Sequence, residues 1–315
     1  MMLNSTMKKT FRAALAIVCA GTLMAGTAAC GSTSSSGGDK VALLVSTLNN
    51  PFFVDLRDGA QAAAKDLGVD LMVSDAQNDS STQQNQAQNA QSQGAKAVII
   101  NPVDSDAASP AVAPLLSSSL PVISVDRSVT GEDVTSHIAS DNVAGGAQAA
   151  DELAKAVGEK GKVIILQGTP GAASTRDRGD GFKKEIKKYS GIEVVAEQTA
   201  NFDRAEALDV TTNLMQSNPD VVGIYAENDE MALGAIQSLG SKAGADVKIF
   251  GFDGTEDGLK AVSNGTMVGT IAQQPKELGK KAVEAAVKAI KSESVEKTES
   301  IEVKTVTKGN VADFQ

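Results

Sequence analysis

The sequence has no tryptophan, two tyrosines, two cysteines (Cys19 and Cys30) and a single histidine (His137) in 315 residues. Each scarcity excludes something. A lone histidine argues against a histidine metal cluster and against a Ser-His-Asp triad. It reads as an ordinary, partly buried side chain. Two cysteines, one of them in a leader, leave no disulfide framework. Away from the N-terminus, no run is long and apolar enough to span a membrane. Positive charge is also short, with 29 Lys+Arg against 39 Asp+Glu. An acidic surface repels phosphate backbones and excludes nucleic acid as a natural partner. The glycine patterns of dinucleotide and P-loop sites are missing, so no cofactor is expected. Aromatic residues make up only 3%, which makes the adjacent pair Phe52-Phe53 a notable use of eight phenylalanines.

The N-terminus is an address. Lys8, Lys9 and Arg12 precede an apolar stretch at 13–24 and the small residues Gly26, Thr27, Ala28 and Ala29. Residues 1–29 thus read as a secretory signal peptide, complete even if translation starts at Met7. Cys30 follows at once. Small residues before a cysteine resemble a bacterial lipobox, in which that cysteine is lipidated and becomes the mature N-terminus. Thr27 stands where that pattern usually has an apolar residue. Residues 30–39 are then a lipidated cysteine and a flexible Ser/Gly tether. Cleavage removes three cations and no anion, moving the formal charge from −10 to −13. The expected location is the outer face of the cytoplasmic membrane, as a lipoprotein.

The rest alternates between two periodicities. Short apolar runs predict strands at 41–46, 70–74, 97–100, 121–125, 163–167, 193–196, 221–225, 247–251 and 267–272. Helical patterns lie between most of them. The first puts Phe53, Leu56, Ala60, Ala63 and Leu67 on one face and stops at Gly68. Residues 142–157, 203–216, 229–239 and 276–290 are the clearest of the others. The Gln/Asn-rich stretch 77–93 reads as a solvated helix, capped near Ser80 and stopped at Gly94, because a crossover is needed there. Such alternation predicts an α/β chain with parallel sheets. The strands are too many for one comfortable sheet, so two doubly wound domains are expected.

Ligands in open parallel sheets bind beyond the carboxyl ends of the strands. The residues at those places are Asn50, Phe52 and Phe53; Asn101; Asp126 and Arg127; Asn228; Asp253; and Gln273. Carboxylates accept from hydroxyls, amides donate and accept, and guanidinium donates from a rigid fork. Aromatic rings cover apolar faces. The set suits a polyhydroxylated ligand. Blander readings exist for each. Asn50-Pro51, Asn101-Pro102 and Asp253-Gly254 are turn dipeptides, Asp126-Arg127 could be a surface ion pair, and Asp229 could cap a helix.

The segment Ser46-Thr47-Leu48-Asn49-Asn50-Pro51-Phe52-Phe53 resembles the opening of the bacterial ribose-binding proteins, type I solute-binding proteins of ABC importers. The similarity continues through Asn101-Pro102-Val103-Asp104, Asp126-Arg127, Arg178-Gly179-Asp180-Gly181-Phe182, Asn201-Phe202-Asp203-Arg204, Glu227-Asn228-Asp229-Glu230, Gly251-Phe252-Asp253-Gly254 and Thr270-Ile271-Ala272-Gln273. The resemblance implies the type I periplasmic-binding-protein fold, with two lobes joined by a three-crossover hinge. One lobe would be 40–140 plus 274–302, the other 141–273 plus 303–315. It implies that Asn50, Asn101, Asp126, Arg127, Arg178, Asn228, Asp253 and Gln273 hydrogen-bond a sugar, with Phe52, Phe53 and Phe202 against its faces. Arg178 and Phe202 rest on the resemblance alone. The implied partners are D-ribose or a similar monosaccharide, a membrane permease with its ATPase, and the membrane itself through the lipid anchor; the protein would be a monomer. Rival readings are another ligand (allose, galactose or a furanosyl signal) and an extracellular carbohydrate enzyme using Asp126 and Asp253. The arginine beside Asp126 favours binding over acid catalysis. A third rival, a transcriptional regulator of related fold, is opposed by the signal and the acidity. No loop of spaced Asp/Asn resembles the calcium loop of galactose-type relatives.

Overall fold

The computed structural model describes residues 38–315, so the signal peptide, Cys30 and most of the tether lie outside the described residues. From Lys40 the chain runs β1 (Lys40–Val45), α1 (Pro51–Leu67), β2 (Asp70–Asp75), α2 (Ser80–Ser92), β3 (Ala97–Ile100), α3 (Ser109–Ser117), β4 (Val122–Val125) and β5 (Ser136–Ser140). A second series follows: α4 (Asn142–Ala156), β6 (Lys160–Gln167), α5 (Ala173–Ile186), β7 (Gly191–Thr199), α6 (Arg204–Ser217), β8 (Val221–Ala226), α7 (Asp229–Leu239), β9 (Lys248–Asp253), α8 (Glu256–Asn264) and β10 (Gly269–Ala272). The chain ends with α9 (Pro275–Ile290), β11 (Thr298–Ile301) and β12 (Lys304–Thr307).

These strands form two sheets, ordered β11-β5-β4-β3-β1-β2 and β12-β10-β9-β8-β6-β7. Each contains the same winding, and all pairs are parallel except β10 with β12. The chain passes between the sheets three times: from β5 to α4, from β10 to α9 and from β11 to β12. Two α/β lobes with a three-strand hinge result.

Both faces of each sheet are covered, which explains the continuous apolar runs. In β1, Val41, Leu43 and Val45 pack towards α1 and α9, while Ala42 and Leu44 pack towards α2 and α3. In the second lobe, α4 and α5 cover one face and α6, α7 and α8 the other. Helices α4 and α5 cross closely because each presents a glycine. A Cβ on Gly146 would sit 2.1 Å from the Arg178 carbonyl oxygen, and one on Gly181 would sit 2.1 Å from that of Val143.

Two sequence readings change. Leu67, placed on the buried face of α1, is 44% exposed. It is the last residue of the helix, and Gly68 turns the chain away with φ 71°. The Gln/Asn-rich segment is helical, with Asp79 as N-cap, yet it is not wholly solvated: Gln83, Ala87 and Ala90 are buried. Strands β5, β11 and β12 and helices α3, α5 and α8 are additional to the predicted elements; the strands, α3 and α5 carry no clear periodicity, while the short α8 buries Leu259 and Val262 on one face. α3 even contains Pro114. α5 is polar and has two glycines, with packing against α4 in place of propensity.

Candidate functional site

The carboxyl ends of both sheets face one narrow cavity. It is lined by Asn50, Phe52, Phe53, Asp126 and Arg127 from the first lobe, and by Ser174, Arg178, Phe202, Asn228 and Asp253 from the second.

In the first lobe, Asn50 caps α1: its side-chain oxygen accepts the Phe52 N–H at 2.9 Å. Phe52 and Phe53 follow, edge to face with centroids 5.1 Å apart. Asp126 leaves β4 with φ 66°, a left-handed backbone that L side chains rarely adopt. Its Oδ2 accepts from Asn101 Nδ2 at 3.0 Å and lies 3.6 Å from Arg127 Nε. Its Oδ1 is buried without a partner. Arg127 donates from one nitrogen to the Pro102 and Val103 carbonyls, and its Nε is buried without a hydrogen bond. Burial pulls the Arg127 guanidinium down, and the neighbouring Asp126 opposes that. The pair is therefore not a surface ion pair: both members are buried.

In the second lobe, Arg178 projects from α5. It donates to Asn142 Oδ1 at 2.8 Å and to the Glu227 carbonyl at 2.7 Å, and lies 3.6 Å from Asp253 Oδ1. Its guanidinium stacks 3.9 Å from the Phe252 ring centroid. Burial pushes Asp253 well above the usual carboxylate range, against the pull of Arg178. Asn228 caps α7 through the Met231 N–H. Phe202, at φ 60°, lays its ring over Gly168, where a Cβ would sit 2.0 Å from a ring carbon. The two arginines meet from opposite lobes around this ring: Arg127 is 5.5 Å and Arg178 5.8 Å from its centroid.

Nine of the eleven sequence-derived site residues thus line the cavity, while Asn101 and Gln273 stand behind it. Asn101 is fully buried, accepts the Ser46 N–H and donates to Asp126 and the Val125 carbonyl. Gln273 donates to Asp253 Oδ1 at 2.7 Å, and its own oxygen is buried unpartnered. Four supporting residues were missed. Ser174 lines the cavity, and Asn142 holds Arg178. Gln83 bridges the Asn101 carbonyl and the Val103 N–H. Glu227 accepts the Gly168 N–H at 2.8 Å, and burial pushes its carboxyl up to about 8. Glu227 directly follows β8, so the strand-end rule that found Asn228 could have found it. Asp229, read as a possible cap, instead ties β10 and the 255 turn together through Thr270 and Thr255. His137 is half-buried with Nδ1 2.8 Å from the Ser124 hydroxyl.

Known proteins resemble this chain in sequence and fold. Residues 41–294 match the family described as periplasmic binding protein domain. The ribose import binding protein RbsB of Salmonella typhimurium is 47% identical over 277 residues, covering 88% of this chain and 93% of its own. The RbsB of Bacillus subtilis is 43% identical, covering 87% and 90%. An ABC transporter solute binding protein of Bacillus halodurans, solved with bound myo-inositol, superposes with a TM-score of 0.84 at 33% identity, covering 90% of this chain and 99% of its own. Two lobes wound alike, a polar cleft between them and identity of this extent lead to one assignment: the chain belongs to the periplasmic binding protein domain family.

Proposed function

We propose that this chain is the substrate-binding component of an ABC sugar importer, and that it takes D-ribose in the cleft between its lobes. The observation that carries this is the set of buried, unpartnered polar atoms around the small cavity. Asp126 Oδ1 and Arg127 Nε have no hydrogen bond among the described residues. A buried polar group without a partner is costly, so such atoms await a ligand's donors and acceptors. Phe52, Phe53 and Phe202 supply apolar faces for the ring. The names of the relatives point to ribose.

Asn50, Asp126, Arg127, Arg178, Asn228 and Asp253 are the direct hydrogen-bonding set in this reading. Asn101 and Gln273 act through the two carboxylates. The lobes divide as 40–140 with 274–302 and 141–273 with 303–315, a division supported by the three passages between sheets. Only the closed arrangement lets both lobes contact the sugar together, so sugar shifts the population towards closure. The closed form then docks on the permease, and the ATPase drives release. Asp126 is engaged by Asn101 and Arg127, which supports a binding role and no chemistry on the sugar. Export with lipidation at Cys30, and a monomeric state, complete the reading. The first rests on the leader sequence.

Calorimetry of the mature protein with ribose, allose, galactose and myo-inositol tests the ligand. Heat with another sugar and none with ribose would sink the assignment. A sugar recovered chemically altered after incubation would overturn the non-enzymatic reading. Mass spectrometry of the native N-terminus decides lipidation, since an unmodified Cys30 excludes the anchor.

A further inference from the structure

Helix α5, which brings Ser174 and Arg178 into the cavity, begins without a cap of its own. Its N-cap position is Ala172, whose side chain has nothing to offer the first N–H groups. The missing acceptor comes from the other lobe: Ser105 Oγ accepts the Ala173 N–H at 3.1 Å. The Ser105 N–H in turn donates to the Gly171 carbonyl at 2.9 Å. Ser105 is fully buried. Beside it, Arg176 reaches Asp106 at 3.2 Å. The first-lobe side is held ready for this contact. Asp104 accepts the N–H groups of Asp106 and Ala107, and the Thr130 hydroxyl donates to Asp106. Gly171 presses on the Asp104 carboxylate so closely that a Cβ there would lie 1.9 Å from Oδ2. None of Asp104, Ser105, Asp106, Gly171 or Arg176 lines the sugar cavity.

We infer that Ser105, with Asp104 and Asp106, forms a latch that caps α5 across the cleft. Its bonds join residues of different lobes and exist only when the lobes meet. Closure therefore does two things at once: it encloses the ligand, and it completes the first turn of the helix that carries Arg178. Ser105 is a positioning residue. It stabilises the closed state and makes no contact with the sugar. This rests on the binding reading above.

The test compares wild type with Ser105→Ala and Gly171→Ala, using sugar binding kinetics and hydrogen exchange of the α5 N-terminus. Loss of an N-cap acceptor corresponds to about fivefold in an equilibrium constant. Ser105→Ala should weaken ribose binding by about that factor. Gly171→Ala, whose methyl meets the held carboxylate, should weaken it by about tenfold or more. The loss should appear mainly as faster dissociation, since the latch forms after encounter. Sugar-induced protection of the Ala173 amide should fall in Ser105→Ala, while the melting temperature without sugar stays at the wild-type value. Unchanged dissociation and unchanged protection in both variants would overturn the latch while leaving the binding reading intact. A wild type that binds none of the sugars would overturn both. Should Gly171→Ala fail to fold, Ser105→Ala alone decides.

Discussion

The two lobes share one winding and yet build their halves of the cleft differently. In the first lobe, Asp126 and Arg127 are chain neighbours at the end of β4, and Asp126 keeps one oxygen free of any protein partner. In the second, Arg178 comes from the middle of a helix and meets Asp253 from the end of β9, seventy-five positions on in the chain. The first half takes its charged pair from two adjacent residues at one strand end, while positive φ occurs in both halves, at Asp126 in one and at Phe202 and Asp253 in the other. The second is assembled by helix packing, and it needs the glycines of α4 and α5. Identical topology thus leaves open which kind of element carries the charge.

This contrast can be tested, and the largest effect belongs to the arginines. Arg178→Ala leaves Asn142 Oδ1 and the Glu227 carbonyl without their donor, and Asp253 without its counter-charge, in a buried site. Removing one member of a buried pair costs about 3–5 kcal/mol, so ribose affinity should fall by about two orders of magnitude or more, read by calorimetry. Arg127→Ala should fall as far only if the two lobes contribute equally; a loss under tenfold would place the binding energy in the second lobe.

The next effect is on stability and is confined to the second lobe. The Glu227 carboxyl is raised from 4.5 to about 8 by burial. The folded state therefore binds a proton that the unfolded state has released, and stability falls as pH rises from about 4.5 to about 8. Glu227→Gln removes that slope and keeps an acceptor for the Gly168 N–H. Its unfolding free energy, from denaturant titration, should gain on wild type by up to a few kcal/mol between pH 5 and pH 8.5. Parallel pH profiles of the two proteins would show that Glu227 ionises normally.

Gly146→Ala comes third. The added methyl meets the Arg178 carbonyl, and overpacking of this kind costs about 1–3 kcal/mol. Both melting temperature and ribose affinity should drop, because the helix that moves carries the arginine. A lower melting temperature with wild-type affinity would separate packing from the site. The smallest effects are expected behind the carboxylates: Asn101→Ala and Gln273→Ala should each cost about tenfold or less in affinity. A much larger loss in Gln273→Ala would mean that its free oxygen touches the sugar directly.

How much of the site the sequence displayed follows from the same contrast. Polar residues just past strands are visible wherever the strand is a clear apolar run, which found Asn50, Phe52, Phe53, Asp126, Arg127, Asn228 and Asp253. The rule also selected Asn101 and Gln273, because position after a strand does not tell a lining side chain from one behind it. Arg178 lies inside α5, whose sequence has neither a cap nor an apolar face, and Phe202 lies in a turn after β7. Resemblance alone reached these two. β5, β11 and β12 were missed because they are short and mixed in polarity. Gln83 was hidden in a stretch that looked solvated throughout.

Local chemistry determined a good deal by itself. Apolar runs with intervening helical patterns fixed two parallel sheets, since only strands covered on both faces can be apolar throughout. The scarcity of histidine and the excess of acid narrowed the functions before any contact was known. Tertiary structure decided which polar residues face one another. Arg178 and Asp253 become partners, burial raises the Glu227 carboxyl, and Ser105 caps a helix in the other lobe, because each depends on how lobes and helices pack. Sequence spacing does not encode that distance.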